Sequence, residues 1–385
     1  MSRIYMDHNA TTPVAKPVLD AMWPLYSEHW GNPSSIHWAG REPAGLIDDA
    51  RDQVADLIGA RARDLFFTSG GTESDNTALM GVLAARPRGR HLVTSSIEHK
   101  AILDMAKWLE TAHDVRVTLL GVDGRGRHDL DEVREAIADD TTLVSLMLAN
   151  NEIGNINDIT AISEIAHEHG ALVHCDAVNA LGKVPIDVGS LGVDLLSISA
   201  HKICGPKGCG ALWVKRKTPF EPYIRGGGQE RGRRCGTYNA AGIVGFGKAA
   251  ALAGERLASG WEQDVSRLRD RLEEGIVSRV ERVRVNGDPD GRLPNTTNLS
   301  FSGVAGAAHV LNLDLRGIAI STGSACTSGS LDPSHVLVAL EQGDEWLAAA
   351  IRFSLGTGND EAQVDEVIDA VVAEVAKLRA LQATA

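Results

Sequence analysis

Cysteine is scarce in this chain and odd in number: five residues, at positions 175, 204, 209, 235 and 326, in a chain of 385. Such scattering excludes a disulfide framework and fits a reducing, cytoplasmic setting. No apolar run approaches the roughly 18 residues that a membrane span needs, and the opening stretch from Met1 to Asn9 lacks the apolar segment of a signal peptide. Basic residues are outnumbered, 38 Lys and Arg against 51 Asp and Glu, which argues against nucleic acid or an anionic membrane as the main partner. Low complexity is missing too. With 43% hydrophobic and 23% charged residues, and 40 Gly against 13 Pro, the composition excludes wholesale disorder. At roughly 150 residues per domain the length allows two or three domains and a core that needs no metal or disulfide. Small-molecule chemistry is the class these absences leave.

What is present is an alternation of short apolar runs and amphipathic stretches. Asp64–Thr68, His91–Thr94, Val115–Leu119, Leu143–Leu148, Ala171–Asp176, Leu195–Ser199 and Gly210–Val214 each read as a buried strand. Between them lie helical patterns such as Ile159 to His169, apolar at Ile159, Ile162, Ile165 and Ala166 and stopped by Gly170. The pattern predicts an α/β fold with a mainly parallel sheet covered on both faces. After about residue 240 the texture changes. An Ala/Gly-rich helix over Ala240–Leu257 precedes a charged helix over Trp261–Arg282. Strand-like pieces at Asn298–Phe301 and Ile318–Ser321 and a last amphipathic helix after Asp360 follow. This reads as a large α/β domain over 13–255 and a smaller α+β domain made of 1–12 and 256–385.

In open α/β sheets ligands sit at the carboxyl ends of strands. After the strand ending at Thr68 comes Ser69-Gly70-Gly71-Thr72-Glu73-Ser74-Asp75-Asn76. Two glycines and a hydroxyl at a helix N-terminus suit a phosphate; an ordinary Gly turn with a Ser/Thr cap has the same residues. Asp176 ends one strand, and Ser199-Ala200-His201-Lys202 follows another. A partly desolvated lysine suits Schiff-base formation, and a neighbouring carboxylate can hold a proton on a pyridine nitrogen, the pairing expected for pyridoxal phosphate. The alternative is a turn-capping aspartate beside a surface lysine. His99, directly after another strand, could stack on a planar cofactor and shuttle protons, or be structural. The Gly- and Arg-rich tract Gly226–Thr237 offers either further phosphate donors or a solvated basic turn. Arg352, alone in the apolar run Ala350–Leu355, suits a substrate carboxylate or a structural salt bridge. The Ser/Thr/Gly-rich segment 321–333 reads as an exposed mobile loop holding one thiol, Cys326, which nearby cations would have to activate.

Taken together, Tyr5–Pro13, Gly31-Asn32-Pro33-Ser34-Ser35, Thr68–Asn76, Glu98-His99-Lys100, Asn150–Gly154, Asp176–Val178, Ser199–Gly210, Gly227–Thr237 and Gly323–Ser328 resemble the NifS/IscS type of cysteine desulfurase. The likeness runs in family order from residue 5 to about 356 and leans to the NifS side at Gly287–Thr296 and Glu230–Arg234. The resemblance implies a fold-type I pyridoxal phosphate enzyme of the class-V aminotransferase kind, acting as a homodimer. It implies Lys202 as the cofactor-bearing lysine, Asp176 against the pyridinium, His99 on the ring and Asn179 near the ring hydroxyl. Gly71, Thr72, Ser199 and His201 would bind the phosphate, with Thr237 reaching in from the partner subunit. Asn151, Arg352 and Asn32 would hold L-cysteine, and Cys326 would take its sulfur as a persulfide, leaving L-alanine. The persulfide would pass to a protein acceptor for iron–sulfur cluster assembly, tRNA thiolation or DNA phosphorothioation, with no direct nucleic-acid or membrane contact. No metal is implied; a zinc site from Cys204, Cys209 and His201 is a remote alternative because Lys202 and the glycines already account for that loop.

The chain departs from the family pattern in places. Asn179 stands where Gln is usual, Tyr238 where Glu is usual, and the histidine expected before the Arg352 segment is missing. Cys204 and Cys209 replace commoner Tyr and aliphatic residues. These departures leave two other readings in view, a selenocysteine or cystine lyase that does not need Cys326 and a weakly active sulfur-relay scaffold. Cys175 and Cys235 receive no role.

Overall fold

The computed structural model describes residues 3–85, 88–322, 333–341 and 343–382. Twelve strands occur among them. They are β1 (Ile4–Tyr5), β2 (Leu65–Thr68), β3 (His91–Ser95), β4 (Arg116–Leu120), β5 (Thr141–Met147), β6 (Leu172–Asp176), β7 (Leu195–Ser199), β8 (Gly210–Val214), β9 (Val283–Asn286), β10 (Thr296–Phe301), β11 (Ile318–Ala319) and β12 (Ala350–Ser354). Seven form one sheet in the order β2-β8-β7-β6-β5-β3-β4. Pairing is parallel except at β8, which runs antiparallel to both β2 and β7. Strands β5, β7 and β8 are buried along their whole length, as a sheet covered on both faces requires.

The helices follow local chemistry. The helix Ile159–Glu168 starts where the Asp158 carboxylate accepts from the Ala161 N–H at 3.0 Å, and Gly170, at φ +73°, turns the chain after it. The helix Trp38–Leu57 packs on Ala240–Ala258 so closely that a Cβ on Gly247 would lie 2.5 Å from Ala50 Cα. That approach is open only to glycine.

Strands β12-β10-β9 form a separate antiparallel sheet, and β1 pairs parallel with β11. A second apolar cluster forms here. It joins Ile4 and Met6 of the N-terminal segment to Leu272 and Ile276 of the helix Trp261–Val277, to Phe301 and Phe353, and to Val367 and Val371 of the helix Glu361–Gln382. Among the described residues no helix is long and apolar enough to cross a membrane.

Candidate active site

The carboxyl ends of β2, β3, β6 and β7 open into one cavity of about 390 Å³. At its phosphate-binding candidate, the helix Gly71–Ala85 begins directly after the β2 turn, so its first N–H groups have no partner within the helix. A Cβ on Gly71 would come within 2.8 Å of Val178 Cγ2, so glycine keeps this turn tight against the β6 loop. Both Gly71 and Thr72 line the cavity.

Asp176 ends β6 and is buried, with one carboxylate oxygen accepting from the Val178 N–H at 2.8 Å. It caps a turn and lines the cavity as well, a place compatible with either sequence reading. Burial raises its pKa; His99, the Val178 N–H and Lys202 oppose that without reversing it. Asp75, one turn after Gly71, faces the same carboxylate from the helix. Its pKa is driven well above the usual range by burial and then by Asp176, and its Oδ1 has no hydrogen-bond partner. Two carboxyl groups so placed do not both ionise readily.

Lys202 follows β7 and is partly buried. Its Nζ donates to the backbone carbonyls of Asn9 and, at 3.0 Å, Ala10. His99 accepts from the Ala101 N–H through Nδ1 at 3.1 Å, capping the helix Lys100–His113, which leaves the ring proton on Nε2. His99 lines the cavity too, so its capping role does not remove it from the candidate site. His201 reaches Thr11 Oγ1 at 3.2 Å, and its pKa is pushed down to about 4 by burial and by neighbouring lysines, Lys202 first. Arg352 is fully buried in β12; it donates to Asp7 Oδ1 at 2.7 Å and to the Asn151 carbonyl at 2.8 Å. It and Asn151 both line the cavity.

Three expected residues lie apart from this lining. Ser199 is buried, its hydroxyl toward the Cys209 carbonyl at 3.5 Å. Asn32 is exposed and accepts from the Ser34 N–H at 2.9 Å. Thr237 lines a different cavity, of about 150 Å³, with Cys209 and Arg234. In the Gly- and Arg-rich tract, Arg234 pairs with Glu73 at 2.8 Å, and Glu230 forms a buried pair with Arg51 at 2.7 Å. Burial alone would raise the Glu73 carboxyl, but its hydrogen bonds from Arg234 and Ser69 prevail and hold it below the usual range. Tyr238, the departure from the family pattern, accepts from the Glu230 N–H through its hydroxyl at 3.0 Å and anchors a residue in the left-handed region, φ +49°. Cys326 lies outside the described residues. Among those described, no group of three His, Cys, Asp or Glu side chains could hold a metal ion.

Sequence reasoning missed Asn9, Glu152 and His335, all in the cavity wall. Asn9 sits inside the quoted Tyr5–Pro13 phrase. His335 had no local signal, since its place is set by the contact of Nε2 with the Glu98 carbonyl at 2.8 Å. The residues present fit a phosphorylated pyridine aldehyde. A lysine and a buried carboxylate face one cavity, beside a glycine-opened helix N-terminus that suits an anion.

The model of the class-V aminotransferase family matches residues 4–367. A cysteine desulfurase of Cereibacter sphaeroides is 48% identical over 99% of this chain and 98% of its own. The cysteine desulfurase IscS of Methanosarcina thermophila is 48% identical over 98% of this chain and 93% of its own. Among solved structures, a NifS-like protein superposes with a TM-score of 0.91 at 37% identity, covering 97% of this chain and all of that one. SspA in complex with cysteine gives 0.80 at 35% identity over 92% and 99% of the two chains. The chain belongs to the class-V aminotransferase family, a fold that the sheet order and the cavity at its strand ends also define. Within that family it belongs with the cysteine desulfurases.

Proposed function

We propose that the protein uses pyridoxal 5'-phosphate to take sulfur from L-cysteine, releasing L-alanine and leaving a persulfide on Cys326 for transfer to a protein acceptor. The observation that carries this reading is that Lys202 and Asp176, on adjacent strand ends, line one cavity. When bound, the cofactor supplies an electron sink for cleavage at the substrate's carbons. Lys202 would hold it covalently, and the Asp176 carboxylate would keep a proton on its ring nitrogen. The first N–H groups of the helix Gly71–Ala85 and the Thr72 hydroxyl would bind its phosphate, with His201 beside them; the Ser199 hydroxyl, turned to the Cys209 carbonyl, would join them only by rotating. Asn179 would face the ring hydroxyl. His99, with its proton on Nε2, would lie against the ring and move protons, while Arg352 and Asn151 would bind the substrate carboxylate; Asn32, exposed and outside the cavity lining, falls out of this set. In the transfer step the Cys326 thiolate attacks the substrate sulfur: an S–S bond forms, the C–S bond breaks, and the electron pair leaves on carbon, to be protonated as alanine.

We further propose a homodimer, a cytoplasmic setting, and the division into 13–255 and 1–12 with 256–385. Trp23, Tyr26, Trp30 and Trp38 are 63–70% exposed, an apolar surface of the kind a partner covers. A second subunit would also give Thr237 its phosphate, since its own cavity is a different one. The separate cluster that joins Ile4 and Met6 to residues beyond 256 supports the division.

The test is mass spectrometry of the protein after exposure to cysteine. One added sulfur atom on the Cys326 peptide, absent in Cys326→Ala, is expected. Sulfide release at the full rate by Cys326→Ala would overturn the persulfide step and favour a selenocysteine or cystine lyase.

A further inference from the structure

Lys183 is a buried lysine for which the proposed reaction has no use. It lies in the turn after β6, is 4% exposed, and does not line the cavity. Among the described residues it forms no ion pair. Burial, followed by the charges of Lys202 and Arg352, drives its pKa well below the usual lysine range. Its Nζ instead donates to Oδ1 of Asn9 and to Oδ1 of Asn179, both at 2.7 Å. Both asparagines line the cavity.

A lysine N–H only donates, so each carboxamide must turn its oxygen toward Lys183 and its NH₂ away. The Asn9 NH₂ then donates to Thr296 Oγ1 at 2.9 Å and to the Asn151 carbonyl at 3.2 Å. Asn295 donates to the same Asn9 oxygen at 3.3 Å. The Asn9 side chain is thus held from four sides, and its backbone carbonyl is one of the two that receive the Lys202 amine. Removal of Lys183 would leave the buried Asn179 oxygen without its donor and the Asn9 oxygen with only the longer contact from Asn295, which loosens both carboxamides.

We infer that Lys183 is a positioning residue: by clamping Asn9 against Asn179 it holds the segment that docks the Lys202 amine and sets which edge of the Asn179 carboxamide faces the cavity. The inference rests on Lys202 as the cofactor-bearing lysine, and its test separates the two. Cofactor-free wild type, Lys183→Met and Lys183→Gln are compared by thermal midpoint and by a brief acetic anhydride pulse read at Lys202 by peptide mass spectrometry, with exposed Lys215 as the internal control. Pyridoxal phosphate affinity is measured by absorbance titration.

The expected result is folded variants in which Lys202 of Lys183→Met labels at least about threefold faster than in wild type while Lys215 is unchanged. Cofactor affinity should weaken up to about tenfold, the order of one net hydrogen bond. Lys183→Gln, which keeps a donor, should fall between. Unchanged Lys202 labelling and affinity in both variants would overturn the inference. So would equal acceleration at Lys215, or failure of both variants to fold, since each assigns Lys183 to stability alone. If wild type takes up no cofactor but the Lys202 labelling difference appears, the cofactor reading fails and the clamp on Lys202 stands.

Discussion

Buried Arg352 and partly exposed Asp7 form an ion pair at 2.7 Å that joins β12 to the N-terminal segment at the cavity wall. Asn151 accepts from the same guanidinium, so its planar fork is fixed in direction before a substrate arrives. A lysine has a single nitrogen and cannot hold Asp7, Asn151 and a carboxylate in one plane. Arg352→Lys should therefore raise KM for cysteine at least about tenfold with a smaller change in kcat. Asp7→Asn leaves a buried charge uncompensated and should lower the thermal midpoint. Steady-state alanine formation and calorimetry check the two. A fall in kcat at constant KM for Arg352→Lys would remove the substrate-binding role.

Lys202 contributes little to the core, because it is only partly buried and bonds to two backbone carbonyls. Lys202→Ala should fold like wild type, lose the visible absorbance band of the bound cofactor, and lose activity by on the order of 10³-fold or more. Retained colour after dialysis, together with retained turnover, would assign the covalent link elsewhere.

Much of this site was legible from residue order because its chemistry sits at strand ends, and strand ends are marked by where apolar runs stop. The expected helix from Ile159 stops at Gly170 as its pattern required. The antiparallel direction of β8 was not legible, since a short apolar run reads the same in either direction. Nor was the pairing of β1 with β11, whose partners lie some three hundred positions apart. Lys183 illustrates the remaining gap. In Leu181-Gly182-Lys183 nothing local marks a buried lysine, and one of its two partners, Asn9, comes from the far end of the chain.

Arg51 and Glu230 form a bidentate pair at 2.7 and 3.1 Å, with side chains 4% and 3% exposed. Arg51 also lies over the Phe67 ring at 4.7 Å. Removing one partner strands the other charge in the interior, at a cost of roughly 3–5 kcal/mol. Arg51→Met should lower the urea midpoint strongly, and the double variant Arg51→Met with Glu230→Met should recover much of the loss. If the double variant is as unstable as the single one, the pair is not what Glu230 contributes, and its left-handed backbone becomes the main constraint.

His174 carries a pH dependence that can be isolated. It is fully buried between Ser145 Oγ at 2.8 Å and Ser197 Oγ at 2.9 Å, and burial pushes its pKa down to about 3. An unfolded histidine titrates near 6.5, so between about pH 6.5 and 3 the unfolded state binds the extra proton. Stability must then be fully present above about 6.5 and decline as pH falls through that window, by at most about 1.4 kcal/mol per pH unit from this one group. Asp75 and Glu98 act with the opposite sign. Burial, first in both, and the nearby Asp176 raise their carboxyls, so the folded state holds protons that the unfolded state has released, and stability declines as pH rises above the ordinary carboxyl range. Chemical denaturation of wild type and His174→Gln from pH 7 to pH 5 separates the terms. The variant should lose stability less steeply toward acid by about one proton's worth of slope, even if it starts lower at pH 7. Parallel curves would mean that His174 is not neutral in the folded protein.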